Sequence, residues 1–304
     1  MVRVAVGVFL LMAEVGFAAS PFEVMGCFEG PLAVSGPLGS NWIGIYSHVQ
    51  DPKLVRFSPP EPAHGVQDIT EMAFNVTTRR FQTWTVPWTK LYPALYPYLL
   101  DGVVSRPSAG GPIPNWSAHL EWISPDGTQL GYLVTSADSD TEGKPEHKQM
   151  VFAFWKVGSQ RLVVTPPILT TPSKVESGWI SLLSQSVDAE QVYVISNQNM
   201  KPKQPGGTRL RAKLMRIQVS TGAVSNVAEW ELDERPKDLA FGLSADKYHR
   251  FSADGKYLAV SEYLEYRAGK PRLFVIGLED GTVKSLPSVP TPYGMAWSRD
   301  GKRF

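Results

Sequence analysis

The chain has 304 residues, room for one large domain or two small ones, and its 43% hydrophobic and 19% charged residues are ordinary for a globular protein. A net charge of +1 argues against nucleic acid or an anionic membrane surface as a partner. The lone cysteine, Cys27, excludes an intramolecular disulfide, and with only five scattered histidines a Cys/His zinc site is not expected.

Residues 1–20 read as an export signal. Arg3 is a thin basic start, Val4 to Ala13 is an apolar core, and Gly16-Phe17-Ala18 and Ala18-Ala19-Ser20 offer small residues for cleavage. The apolar run is too short to span a membrane, so the mature chain is expected to be periplasmic or secreted, with no transmembrane helix. Cys27 follows Val24-Met25-Gly26, a poor lipidation box; the two readings are a lipid anchor and a small buried thiol.

Beyond the signal, residues 21–304 read as strands and turns. Nine Trp, eleven Tyr and thirteen Phe among 25 Pro and 26 Gly favour them over long helices. Residues 41–59 suit a hairpin around Asp51-Pro52, and residues 72–86 suit a second, so 21–117 is expected to hold two divergent units. Residues 87–102 combine prolines and aromatics as a connection or a short helical insertion. The aromatic cluster Trp84, Trp88, Tyr92, Tyr96 and Tyr98 could stack on a sugar or a Pro-rich peptide, or pack between units.

The clear repeats cover 118–304. Ser124-Pro125-Asp126-Gly127 separates an apolar strand, AHLEWI, from an alternating one, QLGYLV. Pro125 presets φ for a type I turn, Gly127 supplies a left-handed residue, and the serine hydroxyl can bond back to the turn. The pattern returns at Ser252, Asp254 and Gly255 and at Ser298, Asp300 and Gly301, with a worn copy around Asp188-Ala189. Each full copy is followed by a second hairpin, giving four antiparallel strands per unit. Four-stranded units in tandem predict an all-β fold, a β-propeller of four-stranded antiparallel blades. Six blades are expected when complete, the last cut short at Phe304. The polar stretches 135–149 and 197–212 are expected to be long loops between second and third strands, projecting from one face where propellers bind.

The motifs WISPDGTQLGYL, FSADGKYLAV and WSRDGKRF resemble the W-S-P-D-G-K-x-[LI]-A repeats of TolB-type, WD40-like bacterial β-propellers. That resemblance implies an envelope protein that makes protein–protein contacts. Some such propellers precede an α/β-hydrolase domain in serine peptidases of the prolyl oligopeptidase type. The chain stops inside a repeat, so it is expected to be the front of a longer protein, or else to close with residues 22–35.

Chemistry is sparse. G-x-S-x-G, the phosphate-loop pattern and H-E-x-x-H are absent. Ser244 and Lys247 have S-x-x-K spacing without a partner motif. His119 and His249 fall in strands before Asp-Gly turns, and neither has a ligand neighbour. Asp138, Asp140 and Glu142 form half of a calcium loop, closed by Gly143 but with Gln149 where a bidentate Glu belongs. Asn75-Val76-Thr77 and Asn115-Trp116-Ser117 are glycosylation sequons by pattern. No cofactor is expected beyond that calcium candidate, and no catalytic residue. The expected function is an exported, non-catalytic scaffold binding a protein or ligand through loops on one face. The alternative is the regulatory propeller of a secreted prolyl-oligopeptidase-type hydrolase; a propeller lyase or glycan binder ranks third.

Overall fold

Strands joined by short turns, several of them bearing Gly or Asp, make up most of the described chain. The computed structural model describes residues 32–37, 42–47, 68–99, 116–139, 145–171, 178–183, 190–236, 241–243, 249–264 and 272–286. The first sheet is β1 (Leu32–Pro37), β2 (Trp42–Ser47), β3 (Ile69–Asn75) and β4 (Arg80–Val86), paired in chain order. A helical turn, α1 (Trp88–Leu91), and a 3-10 helix (Tyr92–Tyr98) follow. The second sheet is β5 (Trp116–Ile123), β6 (Gln129–Ser139) and β7 (Pro145–Lys156), with β8 (Leu162–Val164) and β9 (Leu169–Thr171) both on β7.

The third sheet runs β10 (Gly178–Leu183), β11 (Gln191–Met200), β12 (Gly207–Gln218) and β13 (Val224–Glu231), with β14 (Arg235–Pro236) also on β12. In the fourth, β15 (Phe241–Leu243) and β16 (His249–Phe251) share the edge of β17 (Tyr257–Leu264), followed by β18 (Leu273–Gly277) and β19 (Val283–Leu286). Every pairing is antiparallel. The fold is thus mostly β, in four meander sheets.

Two expectations are corrected. The segments 41–59 and 72–86 were expected to found separate units, but β2 pairs with β1 on one side and β3 on the other, so both belong to one sheet. The edge of β2 that a local hairpin would need is occupied over Trp42–Gly44 by β3, and residues 48–67 lie outside the described ones. The polar stretches 135–149 and 197–212 are not long loops either. β6 and β7 stay paired to Asp138↔His147, and β11 and β12 to Met200↔Arg209. A two-stranded ribbon satisfies its backbone groups whatever its side chains, so polar composition alone does not end a strand.

The core lies between the sheets. Strands of sheets two and three bury both faces, which explains near-continuous apolar runs such as MVFAFW. In β7, Val151, Ala153 and Trp155 face sheet one, while Met150, Phe152 and Phe154 face sheet three. In β12, Leu210, Ala212 and Leu214 face sheet four, while Met215 and Ile217 face sheet two. Three inter-sheet cores therefore join the sheets face to face in chain order. Trp84, Trp88 and Tyr92 belong to the first of them, and the Trp84 Nε1–H donates to the Gly127 carbonyl at 3.0 Å across the boundary.

Prolines shape the second sheet's edge. Pro166 and Pro167 carry no N–H and interrupt the outer strand between β8 and β9. The ladder is repaired by Thr165: its amide donates to Phe152 O, and its Oγ1 accepts the Phe152 amide, both at 2.9 Å.

Candidate binding end of the sheets

In a four-stranded meander the first and third turns lie at one end, and the second turn and the exit to the next sheet at the other. The Asp-Gly turns occupy the first end. Ser124 is buried; its Oγ donates to Asp126 Oδ1 at 2.6 Å and accepts the Gln129 amide at 2.9 Å. Gly127, at φ 72°, donates to Ser124 O at 2.8 Å. Ser252, Asp254 and Gly255 repeat this geometry, with the Tyr257 amide on Ser252 Oγ. The Ser124 hydroxyl is the largest of the influences holding the Asp126 carboxyl below its ordinary range, and Ser252 does the same for Asp254. All these groups are spent on the turn itself. Ser298, Asp300 and Gly301 lie outside the described residues.

The opposite end is chemically richer. The β6–β7 and β11–β12 ribbons extend from it, the latter carrying exposed Lys201 and Lys203 at its tip. The amides of Lys203 and Gln204 donate to the two carboxylate oxygens of Glu234 at 3.0 and 2.9 Å, which fixes that tip to the segment leading into β14. Along the ribbon Arg209 pairs with Glu231, and Arg211 lies 3.3 Å from Glu229.

At the root of this ribbon, sheets three and four meet through polar groups. Asn197, fully buried on β11, accepts the Leu243 amide at 3.1 Å and donates to the Leu243 carbonyl at 3.2 Å, so it reads the backbone of β15 across the seam. Glu262 continues the core-facing register of Leu258 and Val260 on β17, and its side chain is wholly buried. A buried carboxylate needs partners, because desolvation otherwise outweighs any pairing. Arg272 provides two: its amide donates to Oε2 at 3.0 Å and its Nη2 to Oε1 at 3.1 Å. Arg272 Nη1 reaches Asp233 at 2.9 Å, and its guanidinium lies 5.2 Å above the Phe274 ring, which Trp230 also touches at 5.8 Å. Arg235 Nη2 stands 3.6 Å from Glu262, an ion pair beyond hydrogen-bond reach. Among the described residues, three buried donors have no acceptor: Arg235 Nε, Arg272 Nε and Trp230 Nε1.

A second buried carboxylate sits between sheets one and two. Glu71 shares its face of β3 with Ile69 and Ala73, and Tyr132 OH donates to its Oε1 at 3.4 Å. Burial lifts its pKa from 4.5 to about 7, against the lowering effect of the tyrosine, while burial and then Glu71 itself push Tyr132 well up.

Other sequence candidates fare differently. Asp138 lies in β6 opposite His147, but its side chain, together with Asp140 and Glu142, falls outside the described residues. No group of three or more His, Cys, Asp or Glu fit to hold a metal occurs among the described residues. Asn75 is buried, with its Oδ1 taken by the Thr77 and Thr78 amides, so that sequon is closed to a glycan. Tyr96 is exposed and stacks edge-on against Tyr92, whereas Trp84, Trp88 and Tyr92 are core and present no sugar platform. His119 is exposed on β5; the side chains of His147 and His249, and residues 244–248, are outside the described set. No helix among the described residues is long and apolar enough to cross a membrane.

Sequence reasoning missed the seam because Asn197, Glu262 and Arg272 meet only through tertiary packing. One signal was available: a glutamate in the core-facing register of an alternating strand, true of both Glu71 and Glu262.

No protein-family model and no curated protein matches the chain. Among solved structures, prolyl oligopeptidase B from Galerina marginata is similar at 12% identity over 84% of this chain and 31% of that one, with a TM-score of 0.37. A post-proline cleaving enzyme from Rickettsia typhi is similar at 9% identity over 88% of this chain and 47% of that one, with a TM-score of 0.27. The chain spans about a third of the length of the prolyl oligopeptidase structures it resembles.

Proposed function

We propose that residues 21–304 form a β-propeller of the TolB-type, WD40-like kind, six-bladed when complete, behind an export signal at 1–20. In this reading it works in the periplasm or outside the cell as a non-catalytic scaffold. It engages a protein partner through the ribbon-bearing end of its sheets. The observation that supports it best is the burial of sheets two and three on both faces by the sheets next to them in sequence. That serial packing leaves the ends of the sheets, where ribbons and polar seams gather, as the surfaces open to a partner. The basic tip at Lys201 and Lys203 favours a partner with an acidic face.

The test is retention of the purified chain on immobilised envelope proteins. Lys201→Glu with Lys203→Glu reverses two exposed charges without touching a core. The double variant should bind several-fold more weakly while unfolding at the same temperature. Unchanged retention would sink the proposed surface, and peptide hydrolysis that co-purifies with the chain would sink the non-catalytic reading.

A further inference from the structure

We propose that the seam between sheets three and four is a binding site for an oxyanion, a carboxylate or a phosphate group, held by Arg235 and Arg272. The proposal deepens the binding reading above by naming a ligand chemistry.

The first argument is charge. Two guanidiniums, each about one-fifth exposed, face one wholly buried carboxylate, Glu262; the remaining acid, Asp233, is 66% exposed and largely solvated. Among the described residues the sheltered part of the cluster therefore carries one positive charge in excess. Glu262 already receives two hydrogen bonds from Arg272, so Arg235 is not needed to satisfy it.

The second argument is unspent donors. Among the described residues the Arg235 side chain finds no hydrogen-bond acceptor; its charged partner there is Glu262 at 3.6 Å. All three buried orphan donors among the described residues belong to this neighbourhood: Arg235 Nε, Arg272 Nε and Trp230 Nε1. The residues are linked contact by contact, from Trp230 to Phe274, Arg272, Glu262 and Arg235. No orphan acceptor accompanies them among the described residues. A group of donors with excess positive charge calls for a ligand rich in acceptors, and the planar guanidinium fork suits the paired oxygens of a carboxylate or phosphate.

The third argument is rigidity. The Asn197–Leu243 backbone bonds pin β15 to sheet three, and the Glu234 clamp on the Lys203 and Gln204 amides fixes the entry to β14. Arg235 thus sits on a braced strand with one side towards solvent, as a binding residue requires.

The experiment is calorimetric titration of the full chain at constant ionic strength, with chloride as the balancing anion. The probes are sodium phosphate, sodium acetate, and a short peptide with either a free or an amidated C-terminus. Saturable binding of phosphate or of a carboxylate probe is expected, weakened at least tenfold by Arg235→Gln and less by Arg235→Lys. Phosphate binding alone would assign a phosphate ester; binding of the free but not the amidated peptide would assign a polypeptide C-terminus. Asp233→Asn, at an exposed position, frees Arg272 Nη1 and should tighten anion binding several-fold, a readout that stands even if Arg235→Gln fails to fold. The proposal is overturned if no probe binds better than chloride, if Arg235→Gln binds as tightly as the parent, or if Asp233→Asn leaves affinity unchanged. The scaffold reading fails separately, through retention that ignores Lys201 and Lys203.

Discussion

Glu71 and Glu262 occupy the same kind of position, a core-facing step of a strand, and the fold answers them in opposite ways. Glu262 keeps its partners: two bonds from Arg272 and a second guanidinium close by. Glu71 has a tyrosine hydroxyl at 3.4 Å, and burial raises its pKa to about 7. A carboxyl whose folded pKa lies above its unfolded value holds its proton more tightly when folded. Its stabilising contribution is complete below about pH 4.5 and is lost as pH rises through about 7. The shift corresponds to on the order of 3 kcal/mol. Chemical denaturation between pH 4.5 and 8 should show the parent chain losing stability by that order relative to Glu71→Gln; parallel pH profiles for the two would refute it. The turn carboxylates act in a separate window. Asp126 and Asp254 are held low by serine hydroxyls, so their contribution is present at neutral pH and fades as pH falls below the ordinary value of 3.8.

At the scale of elements, the third turns of the later sheets do more than reverse the chain. Gly222 and Gly281 both have positive φ, and a Cβ on either would meet the outer strand of the preceding sheet: Val164 O at 2.9 Å and Val227 O at 2.3 Å. Sheets three and four are thus each keyed to the sheet before by a turn that only glycine fits. Gly158 has the same backbone sign, φ 79°, but a Cβ there would meet nothing within 4 Å. Gly158→Ala should therefore cost only the left-handed penalty, about 1–2 kcal/mol. Gly281→Ala adds a collision with backbone and should cost roughly 1–3 kcal/mol more. Equal losses in equilibrium unfolding would show that the turn does not bear on its neighbour.

The same scale shows what could be read from the chain. The turn at Ser124 to Gly127 was legible because its determinants are adjacent residues. The ribbons were not, because polar residues such as Asp138, His147, Gln198 and Arg211 interrupt the apolar alternation and leave only isolated apolar steps such as Leu210. β1 to β4 were misgrouped because β2 finds its partner β3 only beyond residues 48–67, while Asp51-Pro52 is a competing local turn signal. The seam needed tertiary contact between β11, β14, β15, β17 and β18, which no local pattern carries.

For the whole molecule, the proposed propeller requires that consecutive sheets fan around a common axis, first strands inward and last strands outward. Flat stacking in the same order would bury the same faces but would not gather the ribbon ends around a centre. Two pairs of equivalent turns tell these apart. Pro125 and Ala253 are second residues of the first turns in sheets two and four; Val157 and Glu279 lie in their third turns, nearer the outer strands. The decisive measurement is electron paramagnetic resonance distances between spin labels placed on each pair, in a chain with Cys27 replaced by serine. A radial arrangement predicts that the Val157–Glu279 distance clearly exceeds the Pro125–Ala253 distance; equal distances would mean a parallel-sided stack and contradict the propeller.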